Sequence, residues 1–352
     1  MSTVEIVSDN RTGINLGVPP EIGTLVLGSL MHHPEMGLPA SDNVDMRLLG
    51  VGTRNIAVHV SLGCDASYRE VVCRTPMKPD TFGALGLYHE YGVLNNLPGG
   101  VAPAPYYLDT ARPDSPILVQ EYIAGRTIPY PEWDGPTVLA FAGSLGTIHN
   151  VTATKKRSVA LDEYLMRHPI GERLRITPLG GQAERLCREV LGNTISHLQK
   201  VQSLFDRAQH ALVHNDLDSP GNILVPGSPE SAGPPRVIDF EHAGGGDPGL
   251  EVAGVYNPDV AFSVDGRQVC LALGAEQELA FLKAYSEATG REDPTLHDRV
   301  RVGQLIRLAR LVVGHTALID ANRTKAFGMT PEVAANERDH AHELYRTAAA
   351  SL

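Results

Sequence analysis

The chain has 352 residues, with 30 basic and 41 acidic side chains and a formal net charge of -11. That length suits one large or two modest domains. With 42% apolar and 20% charged residues, it can bury a sizeable core, which excludes wholesale disorder. An excess of carboxylates suits phosphate backbones poorly, so nucleic acid is not the expected partner; a cationic or neutral small molecule fits the field better. No uninterrupted apolar run approaches the roughly 18 residues of a membrane span. The opening MSTVEIVSDNRTG lacks the basic and apolar stretches of a secretory leader. Cys64, Cys73, Cys187 and Cys270 lie far apart with no C-x-x-C pair. This argues against a zinc site or disulfide scaffold and points to a reducing, cytoplasmic setting without membrane association.

Residues 1–46 read as a polar start, a short helix near Glu21–Met31 and a Gly/Pro-rich connector. From Met46 the texture turns β-like. Met46–Gly50, Ile56–Leu62 and Tyr68–Arg74 are short runs rich in Val, Ile, Leu and Tyr, split by turn residues. Phe82–Leu97 reads as a helix with Leu85, Tyr88, Val93 and Leu97 facing inward. Tyr106–Asp109 and Ile117–Tyr122 read as two more strands, joined by a turn at Arg112-Pro-Asp-Ser115. Long helices follow after Gly125. Val138–His149 is one. Ala183–Phe205 is another, with Leu186, Val190, Ile195, Leu198 and Phe205 on a helical period. Val302–Ile319 is a third, with Leu305, Ile306, Ala309, Val312 and Val313 along one stripe. Ala211–Val213 and Val237–Phe240 are short apolar runs between them. A β-rich portion (1–122) before a helical portion (123–352), hinged near Tyr122–Gly125, predicts a two-lobed α+β protein with a cleft.

The informative stretch is Leu212-Val-His-Asn-Asp-Leu-Asp-Ser-Pro-Gly-Asn-Ile-Leu-Val225. One apolar run delivers the chain into a polar loop bearing His214, Asp216, Asp218 and Asn222, and a second leaves it. Downstream, Val237-Ile-Asp-Phe-Glu241 repeats the arrangement, with an apolar run ending in Asp239. Two carboxylates and a carboxamide at the mouths of small hairpins offer hard oxygen ligands of the kind Mg²⁺ takes together with substrate phosphates. Phosphoryl transfer needs such a set: one Asp to orient or deprotonate a hydroxyl, and an Asn and an Asp to hold metal on the triphosphate.

His-Asn-Asp-Leu…Asn followed by Ile-Asp-Phe-Glu resembles the catalytic and metal-binding motifs of the aminoglycoside phosphotransferase and choline kinase superfamily, which shares the bilobal protein-kinase-like fold. Gly246-Asp-Pro-Gly-Leu-Glu-Val-Ala253 is similar to that family's Gly-Asp-Pro…Asp-Leu-Ala segment, with Glu251 for the usual Asp. Phe281-Leu-Lys-Ala-Tyr-Ser-Glu-Ala-Thr-Gly290 is similar to one of its helix endings. The resemblance runs from about Met46 to Gly290. It implies a β-rich N-lobe and a mainly helical C-lobe. By position, Asp216 would be the catalytic base, Asn222 and Asp239 would hold Mg²⁺, and His214 would brace the loop. Gly50-Val-Gly-Thr-Arg-Asn55 would be the turn over the phosphates of ATP or GTP, bringing Gly50, Gly52 and Thr53 to them. Arg74 would be the phosphate-pairing cation and Glu90 its ion-pair partner. Gln120–Ile123 would be the hinge, with Glu121 and Ile123 offering backbone groups to the nucleobase. Asp216 and Asn222 stand six apart where the family has five, so Asp218 competes as base or ligand. Arginine replaces the common lysine at 74, with Lys78 as the alternative cation.

Blander readings stand beside these. Asn222 alone would be a loop cap, the glycine pair a hairpin turn, and Arg74–Glu90 a surface ion pair. Glu241 is balanced between a substrate or metal contact and a solvated loop. Asp247 and Glu251 would cap the next helix and brace the catalytic loop. His32-His33-Pro-Glu35 fits no standard metal spacing and reads as exposed loop. The expected function is an ATP- or GTP-dependent, Mg²⁺-requiring O-phosphotransferase. Its acceptor would be a hydroxyl of a cationic small molecule such as an antibiotic, serving resistance or self-protection, in a monomer or homodimer. A choline-, ethanolamine- or sugar-kinase-like enzyme is the alternative acceptor class, and a nucleotide-binding pseudokinase the alternative without chemistry. A protein kinase fits less well, because neither His-Arg-Asp nor Asp-Phe-Gly is present.

Overall fold

A computed structural model of the chain describes residues 5–7, 17–33, 44–52, 54–62, 70–79, 81–128, 132–152, 160–167, 179–217, 220–226, 233–258, 263–264, 267–268, 270–322, 324 and 329–352. Two compact units emerge: Met1–Arg126 with Pro226–His242, and Thr127–Val225 with Ala243–Leu352.

The first unit is built on a six-stranded sheet of β1 (Glu5–Val7), β2 (Asp45–Val51), β3 (Asn55–Ser61), β4 (Glu70–Pro76), β5 (Pro105–Asp109) and β6 (Ile117–Glu121), in the order β1-β2-β3-β4-β6-β5. β1 runs parallel to β2, and every other pairing is antiparallel. Side chains alternate across a sheet, and the register turns that alternation into two distinct faces. Met46 lies opposite Val60, Leu48 opposite Val58, Val58 opposite Cys73, and Cys73 opposite Val119. Helix α1 (Pro20–Met31) closes this apolar face with Ile22, Val26 and Leu30. Each such aliphatic side chain removed from water contributes roughly 1.5–3 kcal/mol. The other face carries the rows Arg47–His59–Val72–Gln120 and Ala57–Arg74–Leu118. The turn between β5 and β6 closes with Ser115 N–H donating to the Arg112 carbonyl at 3.0 Å, where the sequence places it.

Helix α2 (Thr81–Leu94) buries Gly83, Ala84, Leu87, Glu90, Val93 and Leu94. Leu85, expected inward, is 58% exposed. Small residues and one carboxylate supply much of the buried face, so counting only large apolar positions selects the wrong stripe. β1 was likewise not anticipated, because three residues are too few to show an alternation. The 3₁₀ turn Phe240–His242 packs on α2 within this unit, with Phe240 fully buried.

The second unit is helical: α3 (Gly135–His149), α4 (Leu161–Arg167), α5 (Gly181–Asp206), α6 (Pro248–Val255), α7 (Ala275–Thr289), α8 (Leu296–Asp320) and α9 (Pro331–Ser351). α5, α6 and α9 pack on α8, and α3 packs on α7. Leu305, Ile306, Ala309, Val312 and Val313 of α8 are all buried, as their stripe predicts. α8 is long and apolar enough to cross a membrane by length and composition, but most of that stretch is buried as a core helix of this unit. α7 ends at Gly290, whose φ of 60° is the left-handed cap that glycine adopts freely. Strands β7 (Ala211–Val213), β8 (Ile223–Pro226) and β9 (Gly244–Gly246) flank the polar loop. β7 and β9 pair antiparallel, Val213 against Gly244 and Ala211 against Gly246. A Cβ on Gly246 would lie 2.5 Å from Val213 Cγ2, so only glycine lets β9 approach β7.

Candidate active site

In the second unit β7 carries the chain into the loop containing Asp216. His214 is fully buried. Asn215 has φ 67°, a left-handed conformation that asparagine tolerates better than most residues. This kink is held by Glu251 of α6. Its Oε2 accepts from the His214 backbone N–H at 2.8 Å and its Oε1 from the Asn215 N–H at 2.6 Å. Burial raises the Glu251 carboxyl, but hydrogen bonding and charge from His149 and His214 outweigh it and hold the group below its usual range. His149 of α3 lies with Nε2 at 2.8 Å from Glu251 Oε2 and Nδ1 at 2.7 Å from the Tyr285 hydroxyl of α7. An ionised carboxylate only accepts, so Nε2 carries a proton; in the neutral imidazole Nδ1 then accepts from Tyr285.

Glu251 itself is placed by the start of α6. Asp247 caps that helix, accepting from Gly249 N–H at 2.7 Å and Leu250 N–H at 3.3 Å. Arg299 of α8, fully buried, donates to Asp247 at 2.9 Å and to Asp293 at 2.8 Å. A buried guanidinium needs such carboxylate partners to offset its desolvation. A chain of polar contacts thus runs from the core helix to the backbone just before Asp216.

Asn222 follows on a 3₁₀ turn, Pro220–Asn222. Its Nδ2 donates to the Asp216 carbonyl at 2.8 Å and to Asp216 Oδ2 at 3.0 Å. With its N–H groups directed at Asp216, Asn222 presents its amide oxygen elsewhere, as a hard donor. Asp218 and Thr53 lie outside the described residues.

The first unit gathers a second constellation. Arg74 of β4 pairs with Glu90 of α2 through a short contact, and donates from Nη2 to Asp239 Oδ1 at 2.6 Å. Glu90 is fully buried and also accepts from Phe240 N–H at 3.3 Å. Burial pushes the Glu90 carboxyl up to about 7, against the pull of Arg74. Burial works against the Arg74 charge, but Glu90 and Asp239 more than offset it and raise the guanidinium above its ordinary value. Asp239 has φ 69°, so a left-handed turn aims its carboxylate at Arg74. With Oδ1 on Arg74, Oδ2 remains as a second hard oxygen.

Glu241 is not a solvated loop residue: its side chain is 10% exposed, and Oε2 accepts from Asn55 Nδ2 at 2.8 Å. A Cβ on Gly86 of α2 would lie 3.3 Å from that oxygen, so the glycine leaves room for it. Asn55 ends the turn that opens at Gly50, and Gly52 N–H donates to the Asn55 carbonyl at 2.8 Å. Met77, beside Lys78, is tied to the same turn by its N–H to the Arg54 carbonyl at 2.9 Å, whereas Lys78 itself is exposed. Glu121 is engaged by Arg236 at 2.5 Å and by the Ala104 N–H at 3.1 Å, and Ile123 is buried. Sequence reasoning passed over His149, Tyr285, Arg299 and Asn55. The available signal was a polar residue at an inward helical position, as His149 and Arg299 are.

Among the described residues no three His, Cys, Asp or Glu side chains form a metal cluster. Asn222 in the second unit and Asp239 in the first each offer a hard oxygen of the kind a hydrated Mg²⁺ takes alongside phosphate oxygens.

The sequence matches the family model described as a phosphotransferase enzyme family over residues 65–298. No curated protein matches significantly. Among solved structures, choline kinase from Cryptosporidium parvum Iowa II aligns with TM-score 0.61 at 15% identity, covering 90% of this chain and 94% of that one. An aminoglycoside phosphotransferase in ternary complex with streptomycin and ATP aligns with TM-score 0.54 at 17% identity, covering 93% and 97%. Macrolide 2′-phosphotransferase from Brachybacterium faecium aligns with TM-score 0.52 at 15% identity, covering 91% and 98%. At such identities the likeness is one of fold: the bilobal, protein-kinase-like α+β class expected from the motifs.

Proposed function

Because the chain belongs to the phosphotransferase enzyme family, we propose that it transfers the γ-phosphoryl group of ATP or GTP to a hydroxyl of a cationic small molecule. Asp216 orients the acceptor hydroxyl and takes its proton. Asn222 and Asp239 hold Mg²⁺ on the triphosphate, and when bound the metal neutralises charge on the phosphate oxygens. Arg74, oriented by Glu90, pairs with phosphate. The Gly50–Asn55 turn offers backbone N–H groups to the phosphates, and the backbone of Glu121 and Ile123 meets the nucleobase. Transfer is then a matter of positioning and preorganised charge.

One observation carries the reading: the Asn222 amide grips both the carbonyl and the carboxylate of Asp216. That contact holds Asp216 and Asn222 side by side despite the long spacing, which supports their proposed roles as base and metal donor. It also favours chemistry over the pseudokinase alternative, whose premise is a misplaced Asn222. The acidic balance of the chain, -11, supports a cationic acceptor, for which an antibiotic in resistance or self-protection is the leading class.

The test is a mass-shift screen of acceptors with Mg²⁺ and ATP or GTP. It includes aminoglycosides, macrolides, choline, ethanolamine and simple sugars. A phosphorylated cationic antibiotic is the expected result. Turnover of choline or a sugar instead would move the enzyme to the metabolic class. Nucleotide binding with no product from any acceptor would count for the pseudokinase.

A further inference from the structure

The helical unit has a cavity whose lining comes from two helices carrying none of the residues assigned above. α5 and α9 both lie against α8, leaving between them a groove of about 650 Å³. That volume is within the usual range for a small-molecule site. Its floor includes Tyr345, which is buried and tied down by its hydroxyl to Thr194 Oγ1 at 3.0 Å and the Val190 carbonyl at 3.1 Å. Ala349 and Ala350 keep the α9 side low.

The charge of the lining runs against that of the chain. In a protein with a net charge of -11, the charged lining of this groove is Lys200 and Arg346 against a single carboxylate, Glu189, with the imidazoles of His197 and His342 beside them. On α5, positions 189, 193, 197 and 200 fall on one helical stripe; on α9, positions 342, 346 and 349 do the same. Lys200, His197 and Arg346 have no hydrogen-bond or ion-pair partner among the described residues. Three arginines of this unit are engaged, Arg299 with two aspartates, Arg301 with Glu278 and Arg188 with Glu184, whereas Arg346 is not. Lys200 and Arg346, unpaired cations lining a concavity whose floor includes Val190, Tyr345 and Ala349, make a site for an anion carrying an organic body. The Arg346 fork and the Lys200 ammonium can together meet several phosphate oxygens.

We propose that the α5–α9 groove binds a small phosphate-bearing molecule, at a site separate from the transfer reaction. Free polyphosphate and the phosphate of a metabolite share this chemistry. The assignment does not depend on the proposed reaction, and a failed acceptor screen would leave it intact.

Calorimetric titration with inorganic tripolyphosphate, without Mg²⁺, is the test. The phosphate-pairing residue Arg74 offers the probe a second place to bind, so three proteins are compared: wild type, Arg74→Ala, and Lys200→Ala/Arg346→Ala. The groove substitutions are on exposed residues, and unchanged circular dichroism confirms that fold is kept. The expected result is that Arg74→Ala retains a binding event that the double variant loses, with at least a tenfold weakening. Lys200→Arg with Arg346 intact should keep it. A sugar monophosphate titrated in parallel separates the sources: tighter binding than the bare anion assigns the groove to a metabolite, and weaker binding to free polyphosphate. Equal titrations of the double variant and wild type would overturn the proposal, as would no binding to Arg74→Ala.

Discussion

Asp216 is defined by its neighbours as much as by its own carboxylate. The Asn222 amide fixes it on one side, and the left-handed Asn215 fixes the chain before it. An amide at 216 would keep the shape and lose the basic oxygen. Asp216→Asn is therefore expected to lower turnover by about 10²–10⁴-fold, with nucleotide affinity by calorimetry unchanged. Retained turnover in Asp216→Asn and its loss in Asp218→Asn would move the base to 218. Glu90 gives a prediction on stability. Its ordinary value is 4.5, and burial pushes it up to about 7. Between those values the folded protein keeps a proton that the unfolded chain has released, so folding loses support from this group as pH rises. Denaturant titrations should show the stability of wild type relative to Glu90→Gln falling from pH 4.5 to 7. A rising difference would mean that Arg74 keeps the carboxylate ionised throughout.

At the scale of elements, loop placement is the work of helices far away in sequence. Glu251 divides its two oxygens between the His214 and Asn215 amides. A glutamine has one acceptor oxygen, so Glu251→Gln must leave one of those amides facing an NH₂ group. The expected cost is about 1–3 kcal/mol, read as a lower unfolding midpoint. Hydrogen exchange of the 212–217 segment should be faster, and its exchange unchanged from wild type would refute this role. Helix α3 approaches α7 so closely at Gly146 that a Cβ would run into the Tyr285 carbonyl oxygen. Gly146→Ala should destabilise by about 1–3 kcal/mol, measured by denaturant unfolding. The same elements show what a linear reading captures. Strands β2 to β6 are legible because they are short runs rich in Val, Ile, Leu and Tyr split by turn residues. α8 is legible because its apolar stripe spans several turns. β1 is too short to carry a pattern. Leu85 misleads because the buried face of α2 includes Gly83, Ala84 and Glu90 beside Leu87, Val93 and Leu94. Asp247 and Glu251 are legible as helix cap and loop brace, but which residues pair with them, Arg299 with Asp247 and Asp293, and His149 with Tyr285 and Glu251, is not written in one dimension.

For the whole molecule, family and fold class follow from two short motifs, because phosphoryl transfer tolerates few alternatives to a base and two oxygen ligands at set spacing. Acceptor identity does not follow, since no comparable motif encodes a binding surface contributed by helices of unrelated sequence. Net charge narrows the choice of acceptor without naming it. The central claim is narrower than acceptor identity: Asn222 and Asp239 jointly grip a magnesium-bound triphosphate. Titration calorimetry with ATP in the presence and absence of Mg²⁺, on wild type, Asn222→Ala and Asp239→Ala, reads it directly. Nucleotide affinity in wild type should rise with Mg²⁺, and each substitution should abolish that gain while leaving the metal-free affinity in place. An affinity indifferent to Mg²⁺ in wild type, or a gain that survives both substitutions, would contradict it.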